Sequence, residues 1–368
     1  MLPELIEQLN RSQPLTATQV ADAVKQLTAE SVAAAVKADF LTELAKKGET
    51  HEEIFLFAQE LRALSITPPL DEQTRAGEIL DVCGTGGDHL GTFNISTTVA
   101  LVCAAAGVKV AKHGNRAITS KSGSADVLEA LGIRVDLSPA EAARSLAEHN
   151  FAFFFAPNYH PAFKHIAPAR KLCAERGQRT IFNILGPLLN PARPTAQLMG
   201  VPRPELCEPL ARVLQSLGVR RGMVVCGSVL RVPCSVEQPS RRPAILDATR
   251  NTQHACFDEL STLGENSVAE FYQDRGFAVS KLSPENFPIQ PATLNDLLGG
   301  DRDANANIIR RILSGEDRGP KRDAVLLNAG AALFVAGRAR SIGEGWELAE
   351  QIIKSGKAAA KLLALARG

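Results

Sequence analysis

From Glu78 onward, short apolar runs alternate with helical stretches. Ile79-Leu80-Asp81-Val82 reads as a strand, Ile95 to Ala106 as a helix stopped by Gly107, and Val108 to Ala111 as a second strand. Ala125 to Leu131 is a helix ended by Gly132, and Ile133-Arg134-Val135 a strand. Ser138 and Glu141 form a capping box for a helix to about His149. Phe151 to Phe155, Gln197 to Val201 and Met223 to Val225 are further strands. Parallel neighbours need a crossover long enough to hold a helix, so this alternation predicts an α/β fold with a mostly parallel central sheet flanked by helices.

The first 75 residues differ, because they read as helices only. Helical stretches run from Ala17 to Leu27, from Ala29 to about Lys46, and from Thr50, which has Glu53 three residues later, to about Leu64. Ile66-Thr67-Pro68-Pro69 breaks the pattern. Two domains follow: a small helical one over residues 1–75 and a larger α/β one over 76–368. Residues 228–257 interrupt the rhythm with prolines and Arg241-Arg242. The C-terminal third reads as mostly helical, with Ile308–Leu313, Ala324–Ala336 and Trp346–Ile353 covering the sheet.

Bulk properties exclude several functions. Net charge is +1 over 368 residues, so no global field draws the chain to nucleic acid or anionic lipid. The apolar runs are too short to span a bilayer, and the acidic N-terminus does not read as a signal peptide. Seven cysteines lie scattered without a CxxC pair. That pattern predicts neither zinc nor a disulfide framework, but thiols in a reducing cytoplasm.

Chemistry concentrates in two turns. In DVCGTGGDHLGTFNIST, Asp81–Thr97, a strand ends, the chain passes Gly84, Gly86 and Gly87, and a helix starts near Asn94. Glycines allow close backbone approach, and a helix N-terminus attracts anions. The spacing is neither G-x-G-x-x-G nor a Walker A loop. KHGNRAITSKSGSADV, Lys112–Val127, follows the next strand and gathers Lys112, His113, Arg116 and Lys121 among small polar residues. In a parallel sheet both turns fall at the C-terminal strand ends, where ligands bind. Together they suit a ligand with several phosphates.

These residues closely resemble the anthranilate phosphoribosyltransferase family. The resemblance rests on GTGGD (Gly84–Asp88), TFNIST (Thr92–Thr97), KHGNR (Lys112–Arg116) and SKSGSADVLEALG (Ser120–Gly132). It extends through FAP-x-x-HPA (Phe155–Ala162), APAR (Ala167–Arg170), RTIFNILGPLLNPA (Arg179–Ala192) and RDAVLLNAGAALFVAG (Arg322–Gly337), with KGET at Lys47–Thr50. It implies transfer of the phosphoribosyl group of phosphoribosyl pyrophosphate to the amine of anthranilate, in tryptophan biosynthesis. It also implies a cytoplasmic homodimer joined through the helical domain, which part of residues 165–190 completes. Neither nucleic acid nor membrane is an expected partner.

Residue by residue, the resemblance implies that Gly84, Gly87, Asp88, Thr92, Asn94, Ile95, Ser96 and Thr97 hold phosphoribosyl pyrophosphate. Lys112, His113, Gly114, Asn115, Arg116, Ala117, Ile118, Thr119, Ser120 and Ser124 continue the cradle. Lys112 and Arg116 are expected to neutralise phosphate charge, and with His113 they are the candidates for a catalytic part. Gly84, Asn115 and Arg170 match the anthranilate positions. Two Mg²⁺ per subunit are implied, one touched by Ser96 and the other carried by Asp258 and Glu259. Gly186 and Pro187 form the hinge-side wall of the pocket.

Two stretches depart from the family pattern. Lys171–Gln178 is about three residues longer than usual, and residues 228–257 stand where a short glycine-containing link is normal. The longer interruption reads either as a tolerated surface insertion or as a lid beside Asp258 and Glu259. Two other functions stay open on sequence: a pyrimidine nucleoside phosphorylase, and a nucleic-acid-binding paralogue without the activity.

Overall fold

A computed structural model of the chain describes residues 2–117, 121–229, 255–273 and 275–367. Five helices come first: α1 (Leu2–Asn10), α2 (Ala17–Thr28), α3 (Ala34–Lys47), α4 (His51–Ala63) and the short α5 (Glu72–Ala76). The capping box at Thr50 and Glu53 forms as its spacing requires. Glu53 also accepts from the Leu15 backbone at 2.9 Å and from Lys47 Nζ at 2.6 Å, so one carboxylate caps α4 and ties down two neighbouring segments. Two details differ from the sequence reading. Helix α1 was not foreseen, although Leu2, Leu5 and Leu9 bury one face of it. And α3 starts at Ala34 rather than Ala29: Ala29 is extended after α2, and its carbonyl accepts from buried Lys37 at 2.7 Å.

Among the described residues the eight strands are β1 (Ile79–Gly84), β2 (Lys109–Gly114), β3 (Phe151–Phe155), β4 (Ala196–Gly200), β5 (Arg221–Val229), β6 (Ala255–Phe257), β7 (Asn266–Tyr272) and β8 (Gly276–Leu282). Their order is β3-β2-β1-β4-β5-β7-β8, and β6 pairs with β5. The first five are parallel; β6, β7 and β8 are antiparallel. Gly227 pairs with both Phe257 and Asn266, so β6 lies on the β4 side of β5, beyond the last residue paired to β4.

The sheet corrects three expectations. Ile133 and Val135 are buried, but their backbone joins no strand ladder: their side chains fill the core without pairing of the chain. The β7–β8 hairpin stands where helices were expected, and the mostly exposed β8 left no apolar period to read. The atypical stretch is narrower than 228–257, since Ser228 and Val229 finish β5 and Ala255–Phe257 form β6. Residues 230–254 lie outside the described residues.

Helices α6 (Ile95–Ala105), α7 (Ser124–Ala130), α8 (Pro139–His149), α9 (Ala156–Tyr159), α10 (Ala167–Glu175), α11 (Phe182–Leu185) and α12 (Cys207–Ser216) alternate with the strands. Then come α13 (Leu294–Leu297), α14 (Arg302–Leu313), α15 (Pro320–Val335), α16 (Ile342–Lys354) and α17 (Lys357–Leu365). One large apolar core joins α6 and α15 to one sheet face. A second joins the other face, through α12, to α1–α4 and to Ile166, Ala169 and Cys173 around α10. Lys37 reinforces that return by donating to the His165 carbonyl at 2.8 Å. No helix among the described residues is long and apolar enough to cross a membrane.

Strand order reverses between β1 and β4, which opens a crevice at their C-terminal ends. Under it, the fully buried Asp81 accepts from Asn190 Nδ2 at 2.9 Å, and the same amide donates to the Ala111 carbonyl at 2.7 Å. The segment that includes Asn190 is thereby fastened across β1 and β2. Burial pushes the Asp81 carboxyl up to about 6, against the pull of Asn190, Lys112 and the His113 backbone N–H. A raised carboxyl contributes stability that is full below the unfolded value and is lost as pH rises through about 6. Urea unfolding of Asp81→Asn is therefore expected to shift relative to wild type by about 2 kcal/mol in the variant's favour between pH 4 and 7. A gap that stays constant with pH contradicts the raised value.

Candidate active site

The loop after β1 turns through Gly86 (φ +76°), Gly87 (φ +87°) and Gly91 (φ +70°) before α6 begins. Its far end is pinned by a stretch the sequence reading did not single out. Thr92 bridges to Leu298, and Gly299 N–H donates to the Gly91 carbonyl at 2.9 Å. Asn305 of α14 donates to Asn94 Oδ1 at 2.9 Å, and Asn94 Nδ2 donates to the Ser122 carbonyl at 3.3 Å. The two loops thus meet, as expected. Asp88 Oδ1 accepts from Leu90 N–H within the first. Ile95 and Thr97 are buried, so they offer the crevice little beyond backbone.

Lys112 is 2 % exposed and donates to the Val82 carbonyl at 2.7 Å and to Ser96 Oγ at 3.3 Å. Its charge therefore stands at the start of α6. Arg116 departs from the expectation of a phosphate partner. Its guanidinium is held by both Glu129 oxygens, at 2.6 and 2.7 Å, and by Asp126 at 3.3 Å, over the Phe155 ring. Two carboxylates thus hold its charge within the loop. Asp126 also accepts the Ala117 and Gly123 N–H groups, while Asn115 Oδ1 accepts from Arg116 N–H. Gly114 ends β2, and Ser124 Oγ donates to the Asn115 carbonyl at 3.4 Å. Ile118, Thr119 and Ser120 lie outside the described residues.

Asp258 and Glu259 follow β6 directly into this crevice. Gly84 and Gly200, the last residues of β1 and β4, make room: a Cβ on Gly84 would strike the Asp258 carboxylate, and one on Gly200 its backbone carbonyl. Asp258 Oδ2 accepts the Gly86 N–H at 2.7 Å, and Glu259 Oε1 accepts the Ser96 N–H at 3.2 Å. Burial, then the nearby charges of Asp88 and Glu259, hold the Asp258 carboxyl well above its ordinary range. Burial likewise pushes Glu259 up to about 7, opposed by Lys112. Buried like charges of this kind are relieved by a cation. Among the described residues no three His, Cys, Asp or Glu side chains are placed to hold an ion. Ser96 stands beside these carboxylates, and hydroxyl, carboxylate and ligand oxygens together suit Mg²⁺.

Beside the crevice lies a corridor of rings. Arg170 on α10 stacks over Phe182 at 5.4 Å, and burial lowers its pKa. Phe182 meets Phe163 edge-on, Phe163 meets His160, and the Nε2 atoms of His160 and His113 are 3.3 Å apart. His113 and His160 donate to the Gly186 and Leu189 carbonyls, which places the expected hinge-side wall against the histidines. Burial, with their proximity to each other, pushes His113 down to about 3; burial pushes His160 down to about 4, and both are neutral at pH 7. Such a corridor can hold a planar aromatic anion, with the Arg170 guanidinium at one end. After Arg170, α10 ends at Glu175 and the chain turns at Gly177, φ +66°.

Sequence reasoning missed Asn190, Asn305 and Asn328. Asn190 and Asn328 stood in quoted motifs, each a lone amide among apolar residues; Asn305 gave no such signal. Residues 76–230 and 251–359 match the glycosyl transferase family a/b domain, and residues 3–65 match the helical bundle domain of that family. The anthranilate phosphoribosyltransferase of Petrotoga mobilis is 43% identical over 357 residues, covering 97% of this chain and 94% of its own. That of Lacticaseibacillus casei is 44% identical over 358 residues, with the same coverages. The crystal structure of the Thermus thermophilus enzyme superposes with TM-score 0.82 at 37% identity, covering 99% of both chains. The Saccharomyces cerevisiae enzyme, in complex with phosphoribosyl pyrophosphate and Mg, gives TM-score 0.81 at 25% identity, over 100% of this chain and 97% of that one. Likeness at this level, across the helical bundle and the sheet alike, decides the matter: the chain belongs to the anthranilate phosphoribosyltransferase family.

Proposed function

We propose that the chain transfers the phosphoribosyl group of phosphoribosyl pyrophosphate to anthranilate. The products are N-(5-phosphoribosyl)anthranilate and pyrophosphate, the second step of tryptophan biosynthesis from chorismate. The observation that carries this is the meeting of the glycine loop, the basic loop and a buried acidic pair at the point where strand order reverses. The bond from ribose C1 to pyrophosphate oxygen breaks, a bond from C1 to the amine nitrogen forms, and the nitrogen releases a proton. An aryl amine is neutral and nucleophilic at pH 7, so no strong base is needed. The difficulty is charge on the departing pyrophosphate and the sugar, and preorganised cations and backbone donors meet it. Mg²⁺, when bound, supplies further positive charge on the pyrophosphate.

In this reading, Gly84, Gly87, Asp88, Thr92 and Asn94–Thr97 hold phosphoribosyl pyrophosphate with residues 112–120 and Ser124. Lys112, rather than Arg116, places the buried positive charge. Ser96, Asp258 and Glu259 serve Mg²⁺, two ions per subunit. Gly84, Asn115 and Arg170 receive anthranilate, with Arg170 gripping the carboxylate through paired hydrogen bonds. The helical unit is residues 1–75 completed by part of 165–190, a division favoured by the shared apolar core around α10. Residues 76–368 form the phosphoribosyl-pyrophosphate domain. The enzyme works as a homodimer in the cytoplasm.

The test follows loss of anthranilate fluorescence with phosphoribosyl pyrophosphate and Mg²⁺. Arg170→Ala is expected to raise KM for anthranilate about thirtyfold, the loss of a charged hydrogen-bonded pair, and to leave KM for phosphoribosyl pyrophosphate near wild type. An anthranilate KM that does not move removes Arg170 from the pocket. Release of free base from uridine with phosphate would instead mark a nucleoside phosphorylase. Replacement of residues 230–254 with a short glycine link is expected to leave rate and Mg²⁺ dependence unchanged, because loop length costs little. Loss of either in the shortened chain would reveal a lid.

A further inference from the structure

Asn328 lies in the middle of α15, fully buried, with Val325, Leu326, Leu327 and Ala329 buried around it. A primary amide in such a place is costly unless every polar atom is bonded. Here each is. Oδ1 accepts the Leu260 N–H at 2.9 Å, and Nδ2 donates to the Leu260 carbonyl at 2.9 Å and to the Ala324 carbonyl at 2.9 Å. The first two bonds form a closed pair with the backbone of one residue, the one directly after Glu259.

Upstream of Asp258, the described chain is β6, three residues long. Downstream, Asn328 grips Leu260, and Asn266 grips Ser261 in the same reciprocal way, at 2.6 and 3.1 Å. The base of the Asn328 grip is rigid. α15 and α16 approach until Gly330 and Gly345 leave no space for a Cβ between their backbones.

We infer that Asn328 is a positioning residue for the cation site: by clamping Leu260 it sets where the Asp258 and Glu259 carboxylates stand, whatever chain length precedes β6. The inference rests on the reading that these two carboxylates serve the cation. The acidic pair thereby takes its place from the residues that follow it.

The test is Mn²⁺ binding, followed by electron paramagnetic resonance in the presence of phosphoribosyl pyrophosphate, for the wild-type chain, Asn328→Ala, Asn328→Asp and Glu259→Gln. Asn328→Ala is expected to weaken Mn²⁺ about tenfold or more, the usual effect of losing a group that orients a metal's ligands. It raises the Mg²⁺ needed for half-maximal rate and leaves KM for anthranilate near wild type. Asn328→Asp keeps the acceptor, loses both donors and falls between. Unfolding midpoints are recorded alongside: a lower midpoint with unchanged Mn²⁺ affinity makes the residue structural only and overturns the inference. If Glu259→Gln binds Mn²⁺ as wild type does, the reading of the acidic pair fails and this inference fails with it. If Glu259→Gln weakens binding and the Asn328 variants do not, the positioning role alone is lost. Should neither Asn328 variant fold, amide exchange in the unaltered chain decides: slow exchange at Leu260 and Ser261 supports the clamp, and fast exchange overturns it.

Discussion

Everything at this site depends on two carboxylates being kept where water is scarce. Asp258 and Glu259 enter the crevice between β1 and β4 because both strands end in glycine, so the backbone of one segment can lie directly against another. Their buried negative charge is met by Lys112, by the N–H groups of Gly86 and Ser96, and by the start of α6. With Asp88 close by, one lysine does not offset the carboxylates, and the protein side is left acidic, which is what a cation relieves. The +1 net charge of the whole chain has no part in this, since the field is assembled within a few residues.

The loops that make the crevice were legible in the sequence because their chemistry is local. Gly84–Asp88 and Lys112–Arg116 announce themselves by glycine and charge within a few positions, and the caps at Thr50 and Ser138 by a spacing of three. Long-range ties left weaker traces. Asn190, Asn305 and Asn328 act on residues 68 to 211 positions away, and only the fold shows what each amide meets. The β7–β8 hairpin escaped notice for another reason. Most of β8 faces solvent, so the apolar alternation that marks a half-buried strand is missing. Arg116 is a third kind of case, since composition placed it correctly in the basic loop but could not reveal that Glu129 and Asp126 already claim its charge.

The two parts of the chain are joined by more than a linker. The core beneath α12 runs without a break into α1–α4, and Lys37 and Arg62 cross the junction to carbonyls of His165 and Leu188. The ring corridor from His113 to Phe182 runs along this junction. Its histidines hang from the Gly186 and Leu189 carbonyls, so any shift of that segment moves both rings together.

The pairing of Val229 with Ala255 has a practical meaning. Antiparallel partners hold their Cα atoms about 5 Å apart. The chain leaves and re-enters the sheet at one point, two residues from Phe257 and three from Asp258. A foreign domain whose own termini lie close together could be spliced between those two residues without stretching either strand. Because the acidic pair takes its place from the residues that follow it, such a passenger would leave the pair where it stands, which makes this position a natural socket for carrying a second domain on a working enzyme.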